Sequence, residues 1–368
     1  MVVRAILVTG HNPPKKRNHN EPTGIAGARE AMGRVTIREV ARRAGVSHQT
    51  VSRVINNSPD VSPETREHVR QAIVELDYHP NAQAVSLSRN RANSVGMVVD
   101  RAGDQFFGPI VNGACQALME RDRFMLLAQT DYLSQPSAIE ALLRSRRIDG
   151  LILTLPLEPS LAQARSIAES QLPIVLVDLH FDLDIDFVAV DSFHGAYLAT
   201  EHLIKLGHRR IGLIYNRQDV PVGLVRLRGY QQALADYGIP YQEHLTVTGR
   251  WCVESGKRGA EQLLSLASPP TAIFGGDDMM AIGAMHVVAQ RGLRVPDDIS
   301  VIGFDDVESA AYMIPQLTTI RQPLYEMGYR AGERVCQLID GIAEGDTLRL
   351  TLKPELVIRQ STAAPKVS

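Results

Sequence analysis

The sequence predicts a small three-helix head followed by a long α/β body of two doubly wound parallel-sheet lobes. Three observations carry this. Apolar residues recur at helical spacing between residues 36 and 77. From Val95 to Arg359 short apolar runs alternate with helical stretches. The charge divides in the same place. Residues 1–92 hold 14 Lys/Arg against 8 Asp/Glu, which leaves 25 against 33 for the remainder. A basic head on an acidic body is expected where only the head meets a polyanion.

The bulk numbers bound the rest. At 368 residues, two or three domains are expected. Apolar content of 44% with 22% charged residues is globular, and no run is long enough to span a bilayer. The opening "MVVRAILVTGHNPPKKRN" lacks a clean cleavage site and meets Pro13-Pro14 at once, so it does not read as a signal peptide. Three distant cysteines suit a reducing cytoplasm and offer neither a disulfide framework nor a zinc site.

Residues 1–31 are rich in Pro, Asn, Gly and basic residues and read as an extension that builds no core. Thr9-Gly10 lacks the later glycines of a dinucleotide loop. The head follows. Thr36 with Glu39 forms a capping box, and Ile37, Val40, Ala41 and Ala44 share one face. Gly45 ends that helix and Ser47 caps the next. In the second helix Val51, Val54 and Ile55 face inward, which leaves His48, Gln49, Ser52 and Arg53 outside. Ser62 caps a third helix with Pro63 at its first position. Two helices joined by a tight turn, then a third, form the helix-turn-helix pattern. Gln and Arg on the outer face are the residue types that bond adenine and guanine edges. "HPNAQAVSLSRNRANS" after it is a linker that gains order only on binding.

In the body, "SVGMVV", "RFMLLAQ", "DGLILTL", "PIVLVD", "DFVAV", "RRIGLIY", "TAIFGG", "ISVIGFD" and "LTTI" read as strands. Ligands of such sheets sit at the carboxyl ends of strands, between lobes. Asp178, Asp191, Asp277 and Asp305 each follow a strand, Arg226 opens a helix, and Trp251 is the single tryptophan. This set suits a neutral polyhydroxyl ligand: charged groups bond hydroxyls and the indole packs on a sugar face. Each aspartate reads equally well as a helix cap. No nucleophile elbow, zinc-helix or phosphate-loop motif is present, so neither an enzyme nor a cofactor is expected. His202 and His208 read as structural.

These segments carry a resemblance. "VTIREVARRAGVSHQTVSRVINNSPDVSPETREHVRQAIVELDYHPN", "HLIKLGHRRIGLI", "RLRGYQQAL", "GDDMMAIGAM", "GLRVPDDISVIGFDD" and "PQLTTIRQP" are similar to the LacI/GalR family of bacterial transcription repressors, over nearly everything after Met32. The resemblance implies a DNA-binding domain at 32–78, a hinge helix and linker at 79–92, and a periplasmic-binding-protein-like core at 93–360. Within that core it implies an N-lobe of about 93–192 and 322–351 and a C-lobe of about 193–320 and 352–360. Residues 361–368 are expected to be a disordered tail, and Met32 to be the native start.

The resemblance implies base-reading roles for His48, Gln49 and Arg53. Further DNA contacts are implied for Thr36, Ser47, Thr50, Ser52 and Asn56. Asn81, Ala84 and Leu87 belong to the hinge, with Leu87 as a minor-groove wedge. Many relatives have Tyr-Gln where this chain has His48-Gln49. In the cleft, Asp178, Arg226, Trp251 and Asp305 match sugar-contacting positions, and Phe107 and Thr154 match pocket positions. The family's Asn-Asp pair is aligned with Gly276-Asp277, so a hydroxyl-binding Asn is missing. No leucine-heptad tail follows Arg359, and a dimer is expected. The implied function is a cytoplasmic, homodimeric repressor of carbohydrate-utilisation genes, bound to a palindromic operator and released by a sugar. A corepressor-type member and a transport-type sugar-binding protein are the alternatives.

Overall fold

The structure, a computed structural model, describes residues 35–56, 58–79, 92–129, 137–154, 170–178, 185–216, 221–343 and 345–366. The expected hinge residues Asn81, Ala84 and Leu87, and the extension 1–31, lie outside the described residues. The chain forms two compact units that divide between Ala92 and Asn93.

The head holds helices α1 (Ile37–Ala44), α2 (His48–Ile55) and α3 (Pro63–Glu75). The Glu39 carboxylate accepts from the Thr36 N–H at 2.6 Å and its hydroxyl at 2.9 Å. This satisfies donors that the first turn of α1 leaves open. Gly45 stops α1 at φ 68°, a left-handed conformation that glycine adopts without a Cβ clash. Ser47 and Ser62 cap α2 and α3 by accepting from Thr50 N and Thr65 N. Val40, Ala41, Val51, Val54, Val61, Val69 and Ala72 form the core.

The body begins with β1 (Ser94–Val99), α4 (Phe107–Met119), β2 (Phe124–Gln129), α5 (Ser137–Arg144), β3 (Gly150–Thr154), β4 (Ile174–Val177) and β5 (Asp186–Val190). Next come α6 (Ser192–Lys205), β6 (Ile211–Asn216), α7 (Pro221–Asp236), β7 (Thr246–Gly249), α8 (Val253–Leu264) and β8 (Ala272–Gly275). It ends with α9 (Asp278–Gln290), β9 (Ser300–Asp305), β10 (Thr318–Arg321), α10 (Leu324–Asp340), β11 (Arg349–Leu352) and β12 (Glu355–Val357). One sheet has the order β11-β5-β4-β3-β1-β2, the other β12-β10-β9-β8-β6-β7. All neighbours are parallel except β10 and β12. The chain therefore crosses between lobes three times, after β5, after β10 and after β11. α10 returns to the N-lobe and packs against α4 closely enough that a Cβ on Gly113 would meet the Tyr325 carbonyl. Among the described residues no helix is long and apolar enough to cross a membrane.

Three strands go unread in the sequence, and one expectation, the disordered tail, is corrected. β7, β11 and β12 carry no continuous apolar run, because each lies at a sheet edge with its residues half-buried or exposed. The tail is packed from residue 361 to 366. The Ser361 side chain is buried, accepts from Thr318 N at 2.8 Å, and its backbone carbonyl accepts from Val301 N at 2.8 Å. Ala363 accepts from His208 Nε2 at 2.9 Å, and Lys366 pairs with Asp298. A segment too polar for a core is held by backbone groups that the strands leave open.

Candidate functional site

The head presents α2. His48, Gln49 and Arg53 are exposed and make no side-chain hydrogen bond or ion pair among the described residues. The other expected contacts are engaged locally: Thr36 with Glu39, Ser47 with Thr50 at 2.9 Å, and Ser52 with Asn56 at 3.4 Å. Residues 35–79 carry six arginines and six carboxylates, so the positive excess of the first 92 residues lies in the segments flanking the helices. The case for DNA therefore rests on the three open side chains of α2 and not on the net charge of the bundle.

In the body, polar residues from both lobes meet at the carboxyl ends of the strands. Arg226 is the centre. It lies in the second turn of α7 rather than at its start, and is 3% exposed. Its Nη1 donates to the Gly276 carbonyl and its Nη2 stands 3.6 Å from Asp305. The guanidinium carbon lies 3.7 Å from the Phe304 ring centroid and 5.2 Å from that of Trp251. Cation–π contact and in-plane bonds together hold the fork. Gln322, on the second crossover, donates to Asp305 at 2.6 Å.

The aspartates take different roles. Asp191 caps α6 and Asp277 caps α9, through His194 N at 2.9 Å and Met280 N at 2.6 Å. Asp178 and Asp305 cap no helix among the described residues and have φ of 58° and 121°. Left-handed backbone at non-glycine residues of two strand ends is strain of the kind found at binding sites. Burial pushes the Asp178 carboxyl up to about 6 against the pull of Arg226. Burial takes Asp277 to about 7; the Met280 N–H, Arg226 and Arg101 oppose it, and Asp104 adds to it from the other lobe. Asp305 is raised well above the carboxylate range by burial, with Arg226 opposing.

Asp278 is missed by the sequence reading. It is fully buried, accepts from Thr319 Oγ1 and, at 2.8 Å, from Val307 N, and is pushed by burial up to about 8. Gly276 has no room for a side chain: a Cβ there would sit 2.8 Å from the Ile214 carbonyl. Thr154 is buried at the end of β3 and donates to the Val98 carbonyl at 3.1 Å. Phe107 belongs to the N-lobe core, and its half-buried neighbour Phe106 stands edge-on to it at 5.1 Å. Trp251 is half-buried against the C-lobe core. Arg226 thus contacts Trp251, Gly276 and Asp305 and lies near enough to act on the charges of Asp178 and Asp277, whereas Phe107 and Thr154 serve the N-lobe.

Residues 36–81 match the family described as bacterial regulatory proteins, lacI family, and residues 200–362 match a periplasmic binding protein-like domain. The regulator DegA of Bacillus subtilis is 35% identical over 90% of this chain and 98% of its own length. The ribose operon repressor of Haemophilus influenzae is 37% identical over 89% of this chain and 98% of its own. A lac repressor dimer bound to operator and the anti-inducer ONPF matches in structure with a TM-score of 0.80 and 32% identity, covering 90% of this chain and all of that one. With three short helices in its head, two parallel-sheet lobes in its body and relatives alike over nearly their whole length, this chain belongs to the lacI family of bacterial regulatory proteins.

Proposed function

We propose that the protein is a cytoplasmic, homodimeric transcription repressor that binds a palindromic operator through α2 and is released by a sugar held between its lobes. One observation carries this: a single chain joins a helix with His48, Gln49 and Arg53 open to a partner and a cleft in which Arg226, Trp251, Asp178 and Asp305 converge. The relatives support it, since one is named a ribose operon repressor and another is a dimer on its operator. A fork donor, carboxylate acceptors and one indole ring are the complement of a pyranose or furanose with hydroxyls on its edge and C–H groups on its face. The sugar acts through its difference in affinity between the DNA-competent and incompetent lobe arrangements. The regulated genes are those of carbohydrate use. The protein turns over no substrate and takes no cofactor.

The test is a gel shift with the upstream region of neighbouring sugar-utilisation genes, repeated against a panel of galactosides, glucosides, pentoses and oligosaccharides. A specific complex that one sugar dissolves is expected. A complex that forms only with the sugar present would instead establish the corepressor sign.

A further inference from the structure

Across α7 from the sugar cleft lies a second groove, of about 820 Å³. Leu224 and Arg228 stand two residues either side of Arg226, about 200° around the helix from it, so they face away from the cleft. Phe193 and Leu224 wall the groove and are exposed, and Leu227 is half-buried beside them. Another wall comes from the N-lobe, where Val190 ends β5 and Thr351 lies on the neighbouring β11. Two polar groups of the groove are unspent. The Ser192 side chain lines it, the residue is 2% exposed, and its Oγ has no hydrogen-bond partner among the described residues. A buried hydroxyl is bonded as a rule, and one left open costs stability until something meets it. The Arg228 guanidinium is exposed and makes no hydrogen bond or ion pair among the described residues. Asp191, the third polar group, is committed: it accepts from His194 N at 2.9 Å and sets its negative charge against the N-terminal dipole of α6. One cation, one hydroxyl and apolar walls remain.

We propose that this groove is a second small-molecule site, for a compound with an aromatic or aliphatic body, a carboxylate at one end and a hydrogen-bonding group at the other. The carboxylate meets Arg228, the body covers Phe193, Leu224 and Leu227, and the far group reaches Ser192. A neutral apolar molecule leaves Arg228 open, and a cation meets it with like charge. A sugar is a poor match, since these walls offer no row of acceptors for its hydroxyls. The groove also spans the first crossover: Val190 and Thr351 belong to one lobe, Leu224 and Arg228 to the other. A ligand that fits one lobe arrangement better than another therefore shifts the balance between them.

The experiment uses the full chain, with calorimetry and ligand-observed NMR as readouts. The probes are 4-hydroxyphenylacetate, phenylacetate and octanoate, with 4-hydroxyphenylacetamide and tyramine as the neutral and cationic matches of the first. One site per chain is expected, with 4-hydroxyphenylacetate bound about threefold more tightly than its amide and more tightly still than tyramine. Arg228→Glu removes the attraction and adds a repulsion, so it should weaken the carboxylates about tenfold. Arg228 is exposed, and thermal unfolding of the variant at the wild-type temperature shows that its fold is kept. The preference for 4-hydroxyphenylacetate over phenylacetate should vanish in Ser192→Ala. Failure of all three carboxylates to bind overturns the proposal, as does an amide or amine that binds equally well. Binding that survives Arg228→Glu but is lost in Arg226→Lys also overturns it, because the carboxylate would then lie in the sugar cleft.

Discussion

Arg101, in the loop after β1, donates from Nη2 to the backbone carbonyl of Trp251 in the loop before α8, at 3.2 Å. Four residues on, Gln105 accepts from Ser309 N at 2.9 Å. Both bonds cross between lobes, and both start from the loop at the far end of β1, the strand whose first residue follows the linker. The lobes are thus latched at the rim of the cleft by the loop that follows β1. Arg101→Ala and Gln105→Ala should each weaken effector binding about threefold to tenfold, as the loss of ~0.5–1.5 kcal/mol of hydrogen bonding requires. Titration of Trp251 fluorescence checks this. Unchanged affinity in both variants would rule out a latch.

Arg226 makes bonds in two directions and stacks on Phe304, so its charge alone does not replace it. Arg226→Lys keeps the charge and loses the fork. Effector binding should fall about 100-fold, while operator affinity without effector changes little. Calorimetry and a gel shift on the same preparation measure both. Equal loss of the two would point to a folding defect rather than a ligand contact.

On α2, Gln49 and Arg53 have no side-chain partner to lose among the described residues. Replacing either with alanine should cost about 1–3 kcal/mol of operator binding and relax preference at one base pair of each half-site. His48→Tyr should move the preferred operator base at little cost in overall affinity. Selection from a randomised half-site reads all three. Binding of every variant should weaken as salt rises.

Two carboxyls of the cleft and one buried behind it have raised pKa values: Asp178 about 6, Asp277 about 7 and Asp278 about 8. A raised carboxylate favours folding in its protonated form. Its contribution is complete below the unfolded value near 4 and is lost as pH rises through the folded value. Thermal stability should therefore fall from about pH 4 upward and level off by about pH 8, by up to ~1.4 kcal/mol per pH unit for each group still between its unfolded and folded values. Asp277→Asn keeps an acceptor for Met280 N and should flatten that slope. A sugar whose hydroxyls donate to Asp178 or Asp277 favours the charged form, so its affinity should rise as pH passes through about 6 to 7.

How much of this the sequence discloses follows from what each residue answers to. The caps of the head are local, and Thr36, Ser47 and Ser62 stand where the spacing puts them. The nine strands with continuous apolar runs are legible because both sheet faces are covered. β7, β11 and β12 are not, since each is short, carries no continuous apolar run and has residues that are half-buried or exposed. Arg226, Trp251 and Asp305 are legible as polar residues at strand and helix ends. Phe304 reads as core, and only the fold turns its ring to a guanidinium. Asp278 is hidden by its neighbour, because two adjacent acids at a helix start look like one cap and a spare. Arg101 depends on the approach of two lobes some 150 residues apart in sequence, which no local pattern encodes.

The tail shows the same limit and yields a sharp test. "QSTAAPKVS" has no periodicity, yet Ser361 is buried between Val301 and Thr318, and Ala363 closes over His208 and Ser300. His208 in turn bonds Thr271 ahead of β8, so three strands of the C-lobe share one anchor at their amino ends. Removing residues 361–368 leaves the buried donors Val301 N and Thr318 N without acceptors, and the His208 ring with one partner fewer. Each lost acceptor costs about 1–3 kcal/mol. The truncated protein should therefore unfold at a markedly lower temperature than the full chain, whereas Ser361→Ala should account for about a third to a half of that loss. A truncated protein as stable as the full one would mean that water satisfies these groups equally well, and the strap would then contribute nothing to the lobe that carries Arg226 and Trp251.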